Sequence, residues 1–166
     1  ISAAGLPVIG VGKIYDIFAG KGISRSLPSK NNDEGINQVL RAMEEEERGL
    51  IFVNLLDFDQ QYGHRNDPQG YAQALEQFDR RLQEVIDKLR SEDMLCISAD
   101  HGCDPTTPST DHSREYVPLL VYGEKLRQNV NLGTRQSFAD LGQTIAEYLD
   151  VKTKNTTGES FYPLIR

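Results

Sequence analysis

Three short segments of the chain combine aspartate with histidine, two residue types that bind divalent metal ions. They are Asp59 with His64, Asp100 with His101, and Asp111 with His112, and they contain all three histidines of the 166-residue chain. Mixed carboxylate and imidazole donors suit Mn²⁺ or Zn²⁺, and oxygen ligands shift the preference towards Mn²⁺ or Mg²⁺. Two such ions about 4 Å apart can stabilise the attacking and leaving oxygens of a phosphoryl transfer.

Each of these pairs also has a purely structural explanation. An aspartate after a strand often forms a hydrogen bond within its loop, and Asp57 is as good a candidate for that role as for metal binding. We favour Asp59 as the ligand because its spacing to His64 allows a turn to bring the two side chains together. Cys103 lies near His101, but no second Cys or His stands at zinc-finger spacing. The candidate metal ligands are therefore Asp59, His64, Asp100, His101 and His112.

Two apolar segments that resemble buried strands lead directly into these residues. Residues 49–58 precede Asp59, and residues 94–99 precede Asp100. Further strands are predicted at residues 7–11 and 117–122. Ligands of parallel α/β sheets bind beyond the carboxyl ends of the strands, which is where the candidate ligands lie.

Helices are predicted between these strands. The first covers residues 33–47, and the second begins at Asp67 as N-cap with Pro68 in its first turn. A third is predicted from Ser137, which with Asp140 resembles a capping box, to about residue 149. Strands that alternate with helices of this length predict one α/β domain, with a mostly parallel sheet sandwiched by helices.

Composition limits the partners. The formal charge of −7 argues against nucleic acid, because phosphate backbones require a basic surface. No apolar run approaches the ~20 residues of a membrane span, so we expect no membrane partner. The two cysteines do not form a disulfide framework, and we expect a cytoplasmic location.

Four segments of the sequence closely resemble the phosphopentomutase family, which belongs to the alkaline phosphatase superfamily. They are residues 12–20 (GKIYDIFAG), 57–65 (DFDQQYGHR), 99–105 (ADHGCDP) and 110–115 (TDHSRE). Other members of the superfamily share the motifs at residues 99–105 and 110–115 in a looser form. The combination of these motifs with residues 12–20 is specific to the phosphopentomutase family. The resemblance covers nearly the whole chain and weakens after about residue 151.

The resemblance implies a function. The family interconverts ribose 1-phosphate and ribose 5-phosphate, and the deoxyribose equivalents, with two Mn²⁺ ions and a phosphorylated threonine. It implies that Asp59, His64 and His112 hold one ion and that Asp100 and His101 help to hold the other. Lys13 matches a family lysine near the active site and becomes a candidate catalytic residue.

The resemblance also implies that residues 1–166 are the C-terminal part of the metal-binding core, with an incomplete alkaline phosphatase-like fold. The N-terminal core segment, the nucleophilic threonine and the cap domain that binds pentose phosphate would be absent. We therefore expect the chain alone to be inactive, and the exposed sheet surface to favour self-association. Two alternatives remain: another superfamily member, such as a cofactor-independent phosphoglycerate mutase, or an inactive metal-binding fragment.

Overall fold

The chain forms two small β-sheets flanked by helices. The computed structural model describes residues 1–154 and 157–166. Strands β1 (Val8–Val11), β2 (Arg25–Leu27) and β3 (Leu50–Val53) form a parallel sheet in the order β2-β1-β3. Strands β4 (Leu95–Ser98) and β5 (Leu119–Tyr122) form a separate antiparallel pair. The predicted α/β class with a parallel sheet is confirmed, and the β4–β5 pair is the antiparallel exception.

Strand β1 is the centre of the parallel sheet, and all four of its residues are buried. A strand buried on both faces needs a continuous apolar sequence, which Val8–Val11 provides. The short helix α1 (Ile14–Ile17) follows it directly. A Cβ atom added to Gly10 would lie 3.2 Å from side-chain atoms of both Ile14 and Ile23, so glycine allows this close packing.

Of the two long helices, one packs against the parallel sheet and the other packs against the first. Helix α2 (Asn32–Glu45) contacts β1, β3 and helix α3 (Pro68–Lys88). Helix α3 begins as predicted, because Asp67 accepts a hydrogen bond of 2.9 Å from the Gly70 amide. The start of α3 is therefore fixed locally, close to the segment that carries Asp59 and His64.

Only half of the predicted capping box at Ser137 forms, with Ser137 Oγ accepting a hydrogen bond of 3.1 Å from the Ala139 amide. Helix α4 (Ala139–Tyr148) begins two residues later, and the buried Asp140 carboxylate accepts hydrogen bonds from the Glu159 amide and Arg135 Nε instead. The Glu159 amide, with a smaller contribution from Arg135, lowers the pKa of Asp140. The carboxylate therefore joins the C-terminal segment to α4, which local sequence could not reveal. The final short helix α5 (Tyr162–Ile165) follows that segment.

Several large apolar side chains near α1 and on β3 are exposed to solvent. Tyr15, Ile17, Phe18 and Phe52 are between 41 % and 59 % exposed, and the Phe18 and Phe52 rings lie 5.8 Å apart. This surface agrees with the expected tendency to self-associate, which stays a prediction. Within the described residues, no helix is both long and apolar enough to span a membrane.

Candidate metal centre

The segment after β3 brings Asp59 and His64 together. It forms a π-helical turn (Phe58–Tyr62) followed by a 3₁₀ turn (Gly63–Arg65). His64 Nε2 lies 3.3 Å from Asp59 Oδ1. The turn expected from the spacing of these two residues is present.

Asp57 has a different position from Asp59, although only one residue separates them. Its Oδ2 atom accepts a hydrogen bond of 2.8 Å from the Asn32 amide, and its own amide donates to Asn32 Oδ1 at 3.0 Å. These reciprocal bonds join the end of β3 to the first turn of α2. Asp57 is thus a structural residue, the role that sequence reasoning had left open.

The segment after β4 carries the other two histidines. A short antiparallel bridge joins Gly102 to Ser113, with the Ser113 amide donating to the Gly102 carbonyl at 3.1 Å. A Cβ atom at Gly102 would lie 2.5 Å from the Ser113 carbonyl oxygen, so this crossing requires glycine. The bridge places the rings of His101 and His112 in a stack with centroids 3.5 Å apart.

All three histidines converge on one carboxylate oxygen. Asp59 Oδ1 lies 3.3 Å from His112 Nε2 and 4.0 Å from His101 Nε2, in addition to its contact with His64. This oxygen is buried and has no hydrogen-bond partner among the described residues. A buried carboxylate oxygen without a partner is costly, and a bound cation is the usual compensation. One donor atom each from Asp59, His64 and His112 lie within 4.8 Å of one another, as a shared ion requires.

Hydrogen bonds also place the imidazole protons away from Asp59. His64 Nδ1 lies 2.5 Å from the Thr110 carbonyl oxygen, and His101 Nδ1 lies 3.1 Å from the Gly102 carbonyl oxygen. Because a carbonyl only accepts, these contacts assign the proton to Nδ1 in both rings. Each Nε2 lone pair is then available to a metal ion, in the arrangement common among histidine ligands. The residues therefore fit a divalent cation.

Cys103 lies beside this group, outside the donor set of Asp59, His64 and His112. Burial raises the pKa of its thiol, and the charges of Asp59, Glu115 and Asp104 raise the pKa further. A Cβ atom at the buried Gly63 would overlap Cys103 Sγ, so the His64 turn and the His101 segment are in close contact there. Cys103 therefore serves as a packing residue between the two segments.

Asp100 and Lys13 are not part of the donor group formed by Asp59, His64 and His112. The Asp100 side chain is 66 % exposed, with Oδ1 3.7 Å from His101 Nε2. Lys13 is exposed in the turn after β1, at the same edge of the parallel sheet from which the Asp59 segment leaves. Asp100 as a ligand and Lys13 as a catalytic residue stay predictions.

Sequence reasoning missed two contributors to this site. The Thr110 carbonyl oxygen holds His64, and a backbone atom of this kind leaves no signal in the residue type. The second is Asn66, whose Nδ2 donates to the Thr107 carbonyl oxygen at 2.8 Å. An asparagine shortly after a predicted turn was the only signal available for it.

The sequence model of the metalloenzyme superfamily matches residues 8–153 of the chain. The chain belongs to the metalloenzyme superfamily. This membership and the Asp59 group support the use of a divalent metal.

Similar curated proteins are named phosphopentomutases. The chain is 56 % identical to the phosphopentomutase of Acetivibrio thermocellus over 157 residues, which are 95 % of this chain and 40 % of that protein. It is 57 % identical to the phosphopentomutase of Thermotoga petrophila over 162 residues, 97 % of this chain and 41 % of that protein. The chain thus spans about 40 % of the length of the curated relatives it matches. The resemblance to phosphopentomutases is confirmed.

A solved structure shares the fold at lower identity. The phosphoglycerate mutase of Leishmania mexicana matches with a TM-score of 0.73 and 18 % identity, over 99 % of this chain and 38 % of that chain. At this identity the match shows the fold alone. It agrees with the predicted alkaline phosphatase-like core.

Proposed function

We propose that this metalloenzyme superfamily chain is the metal-binding part of a phosphopentomutase that interconverts (deoxy)ribose 1-phosphate and (deoxy)ribose 5-phosphate. The observation that carries the proposal is the buried Asp59 Oδ1 atom, which faces three imidazole nitrogens and has no hydrogen-bond partner in the described residues. Identities of 56 % and 57 % to phosphopentomutases support the choice of reaction.

The residues divide into two groups of ligands in this proposal. Asp59, His64 and His112 would hold one ion, while Asp100 and His101 would help to hold a second. We favour Mn²⁺ for both positions because the resemblance to phosphopentomutases implies it, and the combined carboxylates and imidazoles are compatible with that ion. When bound, such ions neutralise charge on a phosphoryl group and activate an attacking oxygen.

The chain's own residues orient these donors and handle charge. The carbonyls of Thr110 and Gly102 accept the Nδ1 protons of His64 and His101, so that Nε2 carries the lone pair in the neutral form of each ring. Exposed Lys13, at the same edge of the sheet, would bind a substrate phosphate oxygen. The chain carries a formal charge of −7, so a phosphate needs local cations of this kind to approach.

The nucleophile and the sugar site would come from other segments of the protein. Thr106 Oγ1 donates to Asp104 Oδ1 at 2.6 Å, and Thr107 Oγ1 donates to the Asp104 carbonyl at 3.0 Å, so both hydroxyls already serve their own loop. The chain spans about 40 % of the phosphopentomutases that it matches, and we propose that a threonine outside these residues carries the phosphoryl group and that a separate cap binds the pentose. The 166 residues alone would then be inactive, and the parent enzyme would work in the cytoplasm.

Two alternative functions can be distinguished from the phosphopentomutase reaction. The shared fold with a phosphoglycerate mutase allows that activity, but residues 12–20 match the phosphopentomutase motif. A metal-binding chain without activity that associates with itself is the second alternative, and the exposed Ile17 and Phe52 favour it.

The test uses an intact protein that contains these residues. We expect it to convert ribose 1-phosphate and not phosphoglycerate, in the presence of Mn²⁺. His112→Ala should abolish turnover while the thermal unfolding midpoint of the metal-free protein changes little, because His112 is half exposed. Near-normal turnover in this variant would contradict the ligand assignment, and phosphoglycerate turnover would contradict the substrate.

A further inference from the structure

Asn66 closes the turn that carries His64. Its amide donates to the Gly63 carbonyl at 3.1 Å, and its backbone has a φ of 49°, in the left-handed region. Asparagine and glycine adopt this conformation more readily than other residues. The position of Asn66 in the chain is therefore explained by the turn, but its side chain does something further.

The side chain of Asn66 reaches a different segment. Its Nδ2 atom donates to the Thr107 carbonyl oxygen at 2.8 Å, across 41 positions of sequence. Its Oδ1 atom is buried and has no hydrogen-bond partner among the described residues. The carboxamide is thus held by the bond to Thr107 and is withdrawn from water.

The segment that receives this bond carries His112. Residues 104–112, all of which the structure describes, form no helix or strand. Among the described residues, two side-chain hydrogen bonds join this segment to the turn at residues 63–66: His64 Nδ1 with the Thr110 carbonyl, and Asn66 Nδ2 with the Thr107 carbonyl. The first uses a candidate ligand itself, so Asn66 supplies the connection that is independent of the ligands.

We propose that Asn66 is a positioning residue for the metal centre. Its bond to Thr107 fixes the distance between the His64 turn and the His112 segment, and so keeps both Nε2 atoms on Asp59 Oδ1. The inference rests on the proposed metal centre, since it assigns a role towards the same ion. It concerns geometry and not charge, because the neutral carboxamide of Asn66 forms its hydrogen bond with the Thr107 backbone and, among the described residues, none with a candidate ligand.

The left-handed backbone of Asn66 makes a clean experiment possible. Asn66→Gly removes the carboxamide and keeps a residue that accepts a φ of 49° without strain. Asn129 has a φ of 59°, is exposed and lines a cavity whose lining includes none of the three histidines, so Asn129→Gly is the matched control for the backbone change. The two variants should unfold within a few degrees of each other when free of metal.

Two measurements on the 166-residue chain decide the proposal. We expect the dissociation constant for Mn²⁺, from calorimetric titration, to rise about tenfold or more in Asn66→Gly, as for other residues that hold metal ligands. Asn129→Gly should keep the wild-type value. In the metal-free protein, ¹⁵N chemical shifts of His64 should show the Nδ1-protonated form in wild type and in Asn129→Gly, and a mixture of tautomers in Asn66→Gly.

The outcomes separate the two claims. If Asn66→Gly keeps both the wild-type affinity and the single His64 tautomer, Asn66 is not a positioning residue. If wild type binds no Mn²⁺, the proposed metal centre fails, while the metal-free tautomer comparison still decides whether Asn66 positions His64.

Discussion

The two segments that meet at Asp59 are built in different ways. The segment after β3 forms two helical turns, so backbone bonds such as Gln60 N to Leu56 O at 2.9 Å hold Asp59 and His64 from within. The segment after β4, residues 99–118, is described throughout and has no helix or strand. It holds His101 and His112 through one bridge and a few side-chain bonds. One half of the site is thus encoded locally, and the other half depends on long-range contacts.

The largest expected effect tests the locally encoded half. Asp59→Ala removes the oxygen on which three histidines converge. We expect Mn²⁺ affinity to fall by more than about 100-fold, which exceeds the usual effect of losing a residue that only supports a metal ligand. The metal-free protein should lose little stability, since Asp59 Oδ1 has no hydrogen-bond partner in the described residues. Calorimetric titration and urea unfolding measure the two quantities.

Asp57→Ala is the matched control for Asp59→Ala. It should keep Mn²⁺ affinity near wild type but lower the free energy of unfolding by about 1.5–3 kcal/mol, because the Asn32 amide loses a charged acceptor. The reverse pattern in the two variants would show that their roles are exchanged.

The contact between the two segments gives the next largest effect. Gly63→Ala places a methyl group on Cys103 Sγ and should separate the segments, at a cost of about 1–3 kcal/mol in unfolding free energy. Mn²⁺ affinity should fall with it, by about tenfold. Gly142→Ala is the control: a Cβ atom there has no neighbour within 4 Å, and in helix α4 it should stabilise by about 0.5–1 kcal/mol. Equal unfolding free energies for the two variants would exclude the close contact.

A pH measurement tests how firmly β4 is packed. Burial raises the pKa of the Cys96 thiol to about 11, from 9.0. The folded state therefore favours the neutral thiol, and the stability this provides is complete below pH 9 and is lost as the pH rises towards 11. Between pH 8 and 10 the loss should be about 1 kcal/mol, since each pKa unit corresponds to roughly that free energy. Cys96→Ala should remove this part of the slope, and an unchanged slope would place the thiol in water.

The smallest effect concerns the segment after β4 alone. Ser113→Ala removes the hydroxyl that accepts from the Asp104 amide at 2.7 Å, and should lower the unfolding free energy by about 1 kcal/mol. We expect Mn²⁺ affinity to fall a few-fold, because the His112 segment loosens. Ser91→Ala, in an exposed turn, should change the stability by less than about 0.5 kcal/mol. If both serine variants match wild type, the hydroxyl of Ser113 does not hold the segment.

Local features of the fold and the parallel sheet were predictable from sequence, and the antiparallel pairing of β4 with β5 was not. Asp67 and Pro68 mark the start of α3 because capping depends on three or four neighbouring residues. The antiparallel pairing of β4 with β5 depends on how the segment between them folds back, which residue types do not record. The Ser137 box is incomplete for the same reason, since Glu159 and Arg135 bind the Asp140 carboxylate.

Some features of the candidate site were likewise predictable from sequence, and others were not. The grouping of aspartate and histidine after two strands was visible in the sequence, and so was the preference for Asp59. The alternative role of Asp57 needed its partner Asn32, which lies 25 positions away. Thr110 accepts a hydrogen bond with its backbone oxygen, and Asn66 donates one to the backbone oxygen of Thr107. Contacts of this kind follow only from the folded arrangement.

The separation of the two sheets has a consequence for how the chain opens. Strand β1 is buried and paired on both sides, so its amides should exchange with deuterium only on global unfolding. Strands β4 and β5 pair only with each other in the described residues and expose Leu120 and Tyr122, so they should exchange earlier as a unit. Such partial opening would carry His101 and His112 away while Asp59 and His64 stay in place. It gives an ion a route of entry and release that leaves the parallel sheet folded.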